Sequence, residues 1–376
     1  MTATPEIAGR VRDAAARGIR LRVRGRGHWM AANRPVRADD TLSVRECTGI
    51  VAYVPGDFVM TARAGTPLAE IAGAAGAEGQ WLPLDPHGGD DGSIGATVAT
   101  ASGGPLAAAF GAPRDHLLGI EFVTGEGDVV RGGGRVVKNV AGFDLVRLST
   151  GAWGTLGIIT EVTFRLRARP AEEETLALVT DEDAPALERL CAGLRALSTM
   201  PMACELVNGA LAATLELPPA PTLVIRIGGN RELMRAQRDA LAALDAGALR
   251  PVDDAVWRRL RLAEPEGHAA WRLSHRPSDF AATWRAAGQS LAAAGGRWMH
   301  GSVLRGVVRC GAPAGNVDRL TRALALPFDG ARVGETLPAS IWKSLPPAAS
   351  DRLSHGVRAK FDPRGILNPG ILGETA

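Results

Sequence analysis

Residues 24–28, Arg24, Gly25, Arg26, Gly27 and His28, put two arginines, two glycines and an imidazole at the end of a strand-like alternation. Closely spaced glycines after a strand can turn successive main-chain N–H groups toward one point. Such a concavity binds anions, and arginines add charge to it. A phosphate is therefore the first ligand the loop suggests. A metal, a covalently held group, or a turn that binds nothing remain open on these residues alone.

Two familiar phosphate loops are excluded. A Walker A loop ends in Gly-Lys-Ser/Thr, and no lysine precedes Lys138. A dinucleotide fingerprint needs a third glycine opening a helix. Here Gly27 leads to His28, Trp29 and Met30, and Pro35 follows before any helical pattern. A second glycine-rich element spans residues 83–104, with Pro86, His87, Gly88, Gly89, Gly92, Ser93, Ile94, Gly95 and Thr97 around an expected short helix. Small residues let an extended or flat group lie against helix backbone. Ser93 is expected to cap this helix, leaving nearby N–H groups for a phosphate, and Asp90 and Asp91 read as further caps. A third element, residues 151–160, sets Gly154 and Gly157 ahead of the apolar Ile158 and Ile159.

The elements that must hold these loops can be read from periodicity. Residues 5–18 form an amphipathic helix ending at Gly18. Ile19, Leu21 and Val23 alternate with arginines as a half-buried strand. Short strands follow near 41–47, 50–55 and 58–65. A helix then opens with Thr66 as N-cap and Pro67 in its first turn. Residues 117–133 read as a hairpin around Gly125–Asp128. Val162, Phe164 and Leu166 share one face of a strand closed by Pro170, with Glu161, Thr163 and Arg165 on the other. Near residue 170 the composition changes to strands such as 222–229 alternating with longer helices such as 231–244. The tail, 357–376, returns to glycine and proline and reads as a segment docking back on an earlier part. The fold class expected is α+β, with domains at 1–170, 171–345 and a returning segment 346–376.

Bulk properties narrow the function classes. A chain of 376 residues, 46% hydrophobic and 22% charged, is that of a folded globular protein with more than one core. A net charge of +3 with no basic stripe interleaved with aromatics argues against nucleic-acid binding. Cys47, Cys191, Cys204 and Cys310 are scattered with no C-x-x-C pair, which argues against a zinc or iron–sulfur site and against a disulfide framework. A cytoplasmic home and no metal are expected. Residues 92–112 carry no charge, yet their Gly, Ala, Ser and Thr content is too weakly apolar for a membrane span. They read as one buried, tightly packed segment.

Taken together, the three glycine elements and the tail "FDPRGILNPG" resemble the FAD-binding domain of the vanillyl-alcohol-oxidase, or PCMH-type, flavoproteins. Within that family, "VVKNVAGFDLVRLSTGAWGTLGIITEVTFRLRARP", "GTPLAEIAGAAGAEGQWLPLDP" and "RDHLLGIEFVTGEGDVVRGG" are similar to the FAD-binding E-type subunits of bacterial glycolate oxidases. The likeness covers residues 19–170 and about 355–370. It implies a two-lobed FAD-binding domain with a smaller α+β cap domain. FAD would be held non-covalently, its pyrophosphate against Gly25-Arg26-Gly27 and residues 92–97, its adenine near Gly157, Ile158 and Ile159. Asn368 would approach the flavin ring from the tail. His28 stands where some relatives tether flavin covalently; a phosphate or ribose contact is the other reading. His87 is a flavin neighbour or a loop histidine. Lys138 is a compact charge at the site or a solvated strand end. Trp81 and Trp153 read as core aromatics, and His116, His268 and His355 as structural.

Catalytic members of the branch usually carry a histidine-rich metal motif in the second domain, where it positions a hydroxy acid for oxidation. The seven histidines here contain no such pair, His275 and His300 standing singly, so the catalytic residues are left unassigned. Arg272, Arg305 and Arg309 could grip a substrate carboxylate or be surface arginines, which the chain has in excess: of its basic residues only Lys138, Lys343 and Lys360 are lysine. The resemblance thus implies oxidation of glycolate or another small 2-hydroxy acid, with electrons passed to an iron–sulfur subunit beside a paired catalytic flavoprotein, the complex peripheral to the membrane through its partners. The alternative is a non-catalytic, flavin-bearing assembly subunit. A nicotinamide dehydrogenase is disfavoured by the failed fingerprint.

Overall fold

The computed structural model describes residues 4–134, 143–180, 184–244 and 249–373; Lys138 lies outside them. The chain divides into two compact units, Met1–Gly103 with Gly111–Arg169 and Leu345–Ala376, and Gly104–Phe110 with Pro170–Ser344.

The first unit opens with the helix Thr4–Arg17, which buries Ile7, Ala8, Val11, Ala14 and Ala15, one helical face. Gly18 stops it in the left-handed conformation, φ +67°. The strand Leu21–Arg24 pairs in parallel with Asp40–Ser43. Beside it lies the returning tail: the Leu21 N–H donates to the Ile366 carbonyl at 2.7 Å, and the Asn368 N–H to the Leu21 carbonyl at 2.9 Å. This layer has its own small core of Leu21, Leu42, Val44, Ile158, Ile366 and Leu367 under the N-terminal helix.

The rest of the unit is built on a five-stranded antiparallel sheet in the order Ile50–Val54, Val59–Arg63, Ile158–Arg165, Leu117–Val123, Val129–Gly133. Along its central strand Val162 and Phe164 are fully buried and Arg165 is exposed, as the period-two pattern requires. Met60, Ala62, Phe122, Val162 and Phe164 form the core with Ile71, Ile94 and Val98 from the helices Leu68–Gly76 and Ile94–Thr100. The hairpin turns at Thr124–Asp128, where the Thr124 N–H donates to the Asp128 carbonyl and Gly127 has φ +82°.

Two local expectations are overturned here. Thr66 does not cap the helix Leu68–Gly76: Pro67 occupies the N-cap, while the buried Thr66 hydroxyl exchanges hydrogen bonds with the Gly49 main chain. A donor and acceptor two strands away outcompeted the helix end. Nor is 92–112 one packed segment. The helix Ile94–Thr100 belongs to the first unit and ends at Ala101, φ +52°, whereas Gly104–Phe110 belongs to the second. Among the described residues no helix is long and apolar enough to cross a membrane.

The second unit carries an eight-stranded antiparallel sheet. Its order is Arg250–Val252, Glu172–Val179, Thr222–Gly229, Ala203–Val207, Trp298–Ser302, Val307–Pro313, His268–Ser274, Ala331–Thr336. The helices Arg231–Ala242 and Phe280–Ala294 flank it, the first capped by Asn230, whose side-chain oxygen accepts from the Leu233 N–H. The α+β class is as expected; the wide antiparallel sheet was beyond the periodicity argument, which reads strands but not their order. The four cysteines are buried and unpaired, and burial pushes the Cys191 thiol up to about 11.

Candidate functional site

One cleft, partly open to solvent, lies within the first unit. Its walls are loop 22–30, loop 86–92, the exposed face of the helix Ile94–Thr100, the turn 153–157 and the tail.

The glycine loop is the most telling wall. Arg24, Gly25, Arg26, Gly27 and His28 all line the cleft. Gly27 takes φ +101°, which a side chain would resist, and its Cα faces the Arg24 guanidinium. A Cβ on Gly25 would stand 2.8 Å from the Ser93 hydroxyl, so the loop approaches the helix start as closely as glycine permits. None of the main-chain N–H groups of residues 25–29 donates to another described group. Arg26 Nε and Ser93 Oγ are buried and lack any hydrogen-bond partner among the described residues. Buried donors without partners are costly, so this cluster fits a multi-oxygen anion such as a diphosphate. Burial also pushes the Arg22 guanidinium, another lining cation, down in pKa.

The helix start behaves differently from expectation. Ser93 occupies the N-cap of Ile94–Thr100, but its hydroxyl caps nothing. The first two helical N–H groups are already used: Ile94 donates to the Thr66 carbonyl at 3.0 Å and Gly95 to the Ala64 carbonyl at 2.8 Å. They are not left for a phosphate, because the carbonyls of Ala64 and Thr66, just past the strand Val59–Arg63, take them. Gly95 serves this packing: a Cβ there would lie 2.5 Å from the Ala64 Cβ and 2.7 Å from its carbonyl oxygen. Asp91 does not cap the helix either. Its Oδ1 lies 3.0 Å from His28 Nε2, joining two walls of the cleft through groups that are partly exposed. The Asp90 carbonyl accepts from the Ala69 N–H.

Of the remaining expected positions, Pro86, His87, Gly92, Thr97, Gly157, Ile159 and Asn368 also line the cleft. Gly88, Ile94 and Ile158 do not. Gly88 sits behind His28 with φ +98°, while Ile94 and Ile158 are buried in the two apolar cores. Alternation puts Ile158 and Ile159 on opposite faces, so only one of them could face a ligand. Asn368 is 5% exposed, and both ends of its amide are engaged: Oδ1 accepts from the Val23 N–H and Nδ2 donates to the Trp153 carbonyl, each at 2.7 Å. It fastens the first strand, the turn at 153 and the tail to one another. Asn368→Leu keeps the volume but strands a main-chain donor and an acceptor. We expect a loss of about 2–4 kcal/mol in stability, read as a lower urea midpoint at an unchanged slope.

Positions that the spacing argument passed over are Trp29, Met30, Ala96, Ala99, Thr100, Trp153 and Ile371, all at the cleft. Ser93, Ala96, Thr97 and Thr100 fall at helical spacing, and that periodicity was a usable signal. Trp153 was read as a core aromatic; it is half-buried and cleft-lining. Trp81 instead pairs at a short strand edge with Arg167. His116 is buried, its pKa lowered by that burial.

In the second unit the candidate carboxylate grips are already in use. Arg309 is buried and ion-paired with Glu335 and with Glu264, the latter at 2.5 Å, and lies over the Trp298 ring. Arg272 reaches the same Glu335 at 3.4 Å. Arg309 is thus neither a free anion ligand nor a surface residue. His300 Nδ1 lies 2.8 Å from the buried Glu205, and His275 Nδ1 lies 2.6 Å from Asp279. Among the described residues no group of three His, Cys, Asp or Glu is placed to hold a metal ion.

Comparison with known proteins follows the same division. Residues 2–133 match the family described as FAD binding domain. The chain is 43% identical to glycolate oxidase subunit GlcE of Escherichia coli over 151 residues, 40% of this chain and 43% of that one. It is 32% identical to glycolate oxidase subunit GlcD of Bacillus subtilis over 45% of this chain and 33% of the relative. Mitochondrial cytochrome D-lactate dehydrogenase of Arabidopsis thaliana is 35% identical over 42% and 29% respectively. The chain thus spans less than half the length of each of these curated relatives. In fold it superposes on p-cresol methylhydroxylase with a TM-score of 0.79, covering 99% of this chain and 88% of that one at 15% identity. By sequence, residues 2–133 match the FAD binding domain family, and the chain has the PCMH-type fold of p-cresol methylhydroxylase.

Proposed function

We propose that this chain is the FAD-bearing subunit of a glycolate oxidase-type complex. In this reading it takes part in oxidising glycolate or a related 2-hydroxy acid to the 2-oxo acid, and electrons leave to an iron–sulfur partner subunit. The observation that carries the reading is the anion cradle: residues 25–29, whose main-chain N–H groups donate to no described group, line one cleft together with the unpartnered Arg26 Nε and Ser93 Oγ. The relatives named as glycolate oxidase subunits and D-lactate dehydrogenases support the substrate class.

FAD would supply the two-electron acceptor. Gly25, Arg26 and Gly27 would hold its diphosphate by main-chain donation and charge. Thr97 and Ala96 offer the small surface along which an extended molecule can lie. His28 is held by Asp91 at 3.0 Å, and its place at the cleft suits a phosphate or ribose contact; His87 and Pro86 would flank the ligand on the other wall. Lys138 would add a compact cation, and cytoplasmic residence with peripheral membrane attachment through partners is part of the same proposal. The returning tail, 346–376, belongs to the FAD-binding domain in this scheme, and 171–345 is the second, α+β domain.

A second reading is favoured by one observation in the second unit. Arg309 and Arg272, the candidate grips for a substrate carboxylate, are neutralised by Glu335 and Glu264. On that ground the chain would carry flavin and leave the hydroxy acid to a paired flavoprotein subunit. The two readings separate in one experiment. The chain is purified alone and with its partner subunits, and flavin content and dye reduction with glycolate and D-lactate are compared. We expect flavin on the isolated chain, with turnover only in the complex under the second reading. Dye reduction by the isolated chain would establish catalysis here, and a colourless chain that takes up no added FAD would refute both.

A further inference from the structure

We propose that Trp29 and Trp153 form an aromatic corner that stacks on a planar ring of the bound dinucleotide; this rests on the FAD reading above. Trp29 follows the anion cradle directly, and Trp153 approaches from the turn at the opposite edge. Both are half-buried and both line the cleft. Their ring centroids lie 6.4 Å apart at an interplanar angle of 86°. One indole therefore presents its edge to the other, and the perpendicular pair makes two walls rather than one closed stack.

The backbone at Trp153 is what makes the placement informative. Trp153 adopts φ +54°, a left-handed conformation that a bulky residue rarely takes. Two main-chain bonds and one neighbour hold it there. Its N–H donates to the Ala99 carbonyl at 2.8 Å, its carbonyl accepts from Asn368 Nδ2 at 2.7 Å, and Gly154 follows at φ +67°. A Cβ on Gly154 would lie 2.8 Å from that same Asn368 amide nitrogen. The helix, the tail and the turn together hold a strained residue whose indole gains no closed apolar core. Strain of this kind persists where it positions a side chain for a ligand. Aromatic side chains take flat heterocycles by stacking irrespective of their hydrogen-bonding edges, so adenine and the flavin ring satisfy the same corner.

The test uses the full chain and equilibrium dialysis with FAD, FMN and ADP. Trp153→Asn removes the ring while keeping a residue that accepts left-handed backbone, and Trp29→Ala removes the other wall from a loop. Each is expected to weaken FAD binding at least tenfold, about 1.4 kcal/mol, with melting temperature unchanged. Trp153→Phe, which keeps a ring face, should stay within threefold of wild type. Whichever of FMN and ADP loses affinity in parallel identifies the stacked ring. Wild-type affinity for FAD in both Trp153→Asn and Trp29→Ala, at unchanged melting temperature, overturns the aromatic corner while leaving the FAD reading intact. A wild-type chain that binds no FAD at all overturns both.

Discussion

Gly95→Asp is expected to yield a chain that does not fold its first unit. The added Cβ would sit 2.5 Å from the Ala64 Cβ, 2.7 Å from the Ala64 carbonyl oxygen and 2.9 Å from its Cα, and two of those three atoms are backbone. No rotamer change relieves such a contact. Either the helix Ile94–Thr100 withdraws from the strand Val59–Arg63, or the Gly95 N–H to Ala64 bond at 2.8 Å breaks. Overpacking of this kind costs about 1–3 kcal/mol, and the carboxylate and lost hydrogen bond add about 1–3 kcal/mol more. That sum is a large fraction of a domain's stability. The measurement is soluble yield and a urea melt, with flavin loss following as a consequence.

Ala96→Glu is the matched control, one residue further along the same helix. Ala96 is half-exposed and lines the cleft, and its Cβ is 3.6 Å from where a Gly25 Cβ would point. A glutamate there keeps helix propensity and sends a carboxylate toward the anion cradle. We expect stability within about 1 kcal/mol of wild type, with flavin absent from the purified protein. A yellow Ala96→Glu chain would count against diphosphate at Gly25–Gly27. A stable Gly95→Asp chain would show that this helix tolerates displacement.

The second large effect lies in the other unit. Arg309→Met should cost about 3–5 kcal/mol at pH 7, because it removes the buried cation that Glu335 and Glu264 share and leaves Glu335 only the more distant Arg272. The pH dependence distinguishes this from loss of packing. In the wild type, burial pushes the Glu335 carboxyl up, but Arg309 and Arg272 outweigh it and leave the pKa lowered. A lowered carboxylate pKa contributes stability above the unfolded value near 4.5, and that contribution fades as pH falls through the folded value. Removing Arg309 takes away the foremost of the groups that lower this pKa, so the variant lacks that pH-dependent contribution. The difference between the two proteins should therefore be widest at neutral pH and shrink below about pH 4.5. A difference constant with pH would assign the cost to packing alone. Adding Glu335→Gln and Glu264→Gln to Arg309→Met should recover much of the loss at neutral pH.

Local chemistry made part of this molecule legible from its residues. The helix ending at Gly18, the strand carrying Val162 and Phe164, the turn at Gly127 and the clustering of Gly25, Arg26 and Gly27 at one cleft all follow from backbone freedom and periodicity, which act within a few residues. The α+β class follows from the same patterning, whereas the FAD binding domain was reached through the family resemblance that the glycine elements and the tail carry together. What depended on distant partners was not. Thr66 bonds Gly49 instead of a helix end, Asp91 meets His28, and Asn368 ties Val23 to Trp153 across more than 200 residues of chain. Gly95 lines the cleft, but its missing side chain also lets the helix meet Ala64, a contact that spacing does not reveal. Arg309 was a candidate ligand for a substrate and is instead neutralised by two carboxylates from other strands and loops. A side chain's type states which bonds it can make; only the folded chain brings together the groups that compete for them, and burial decides which pairing is kept.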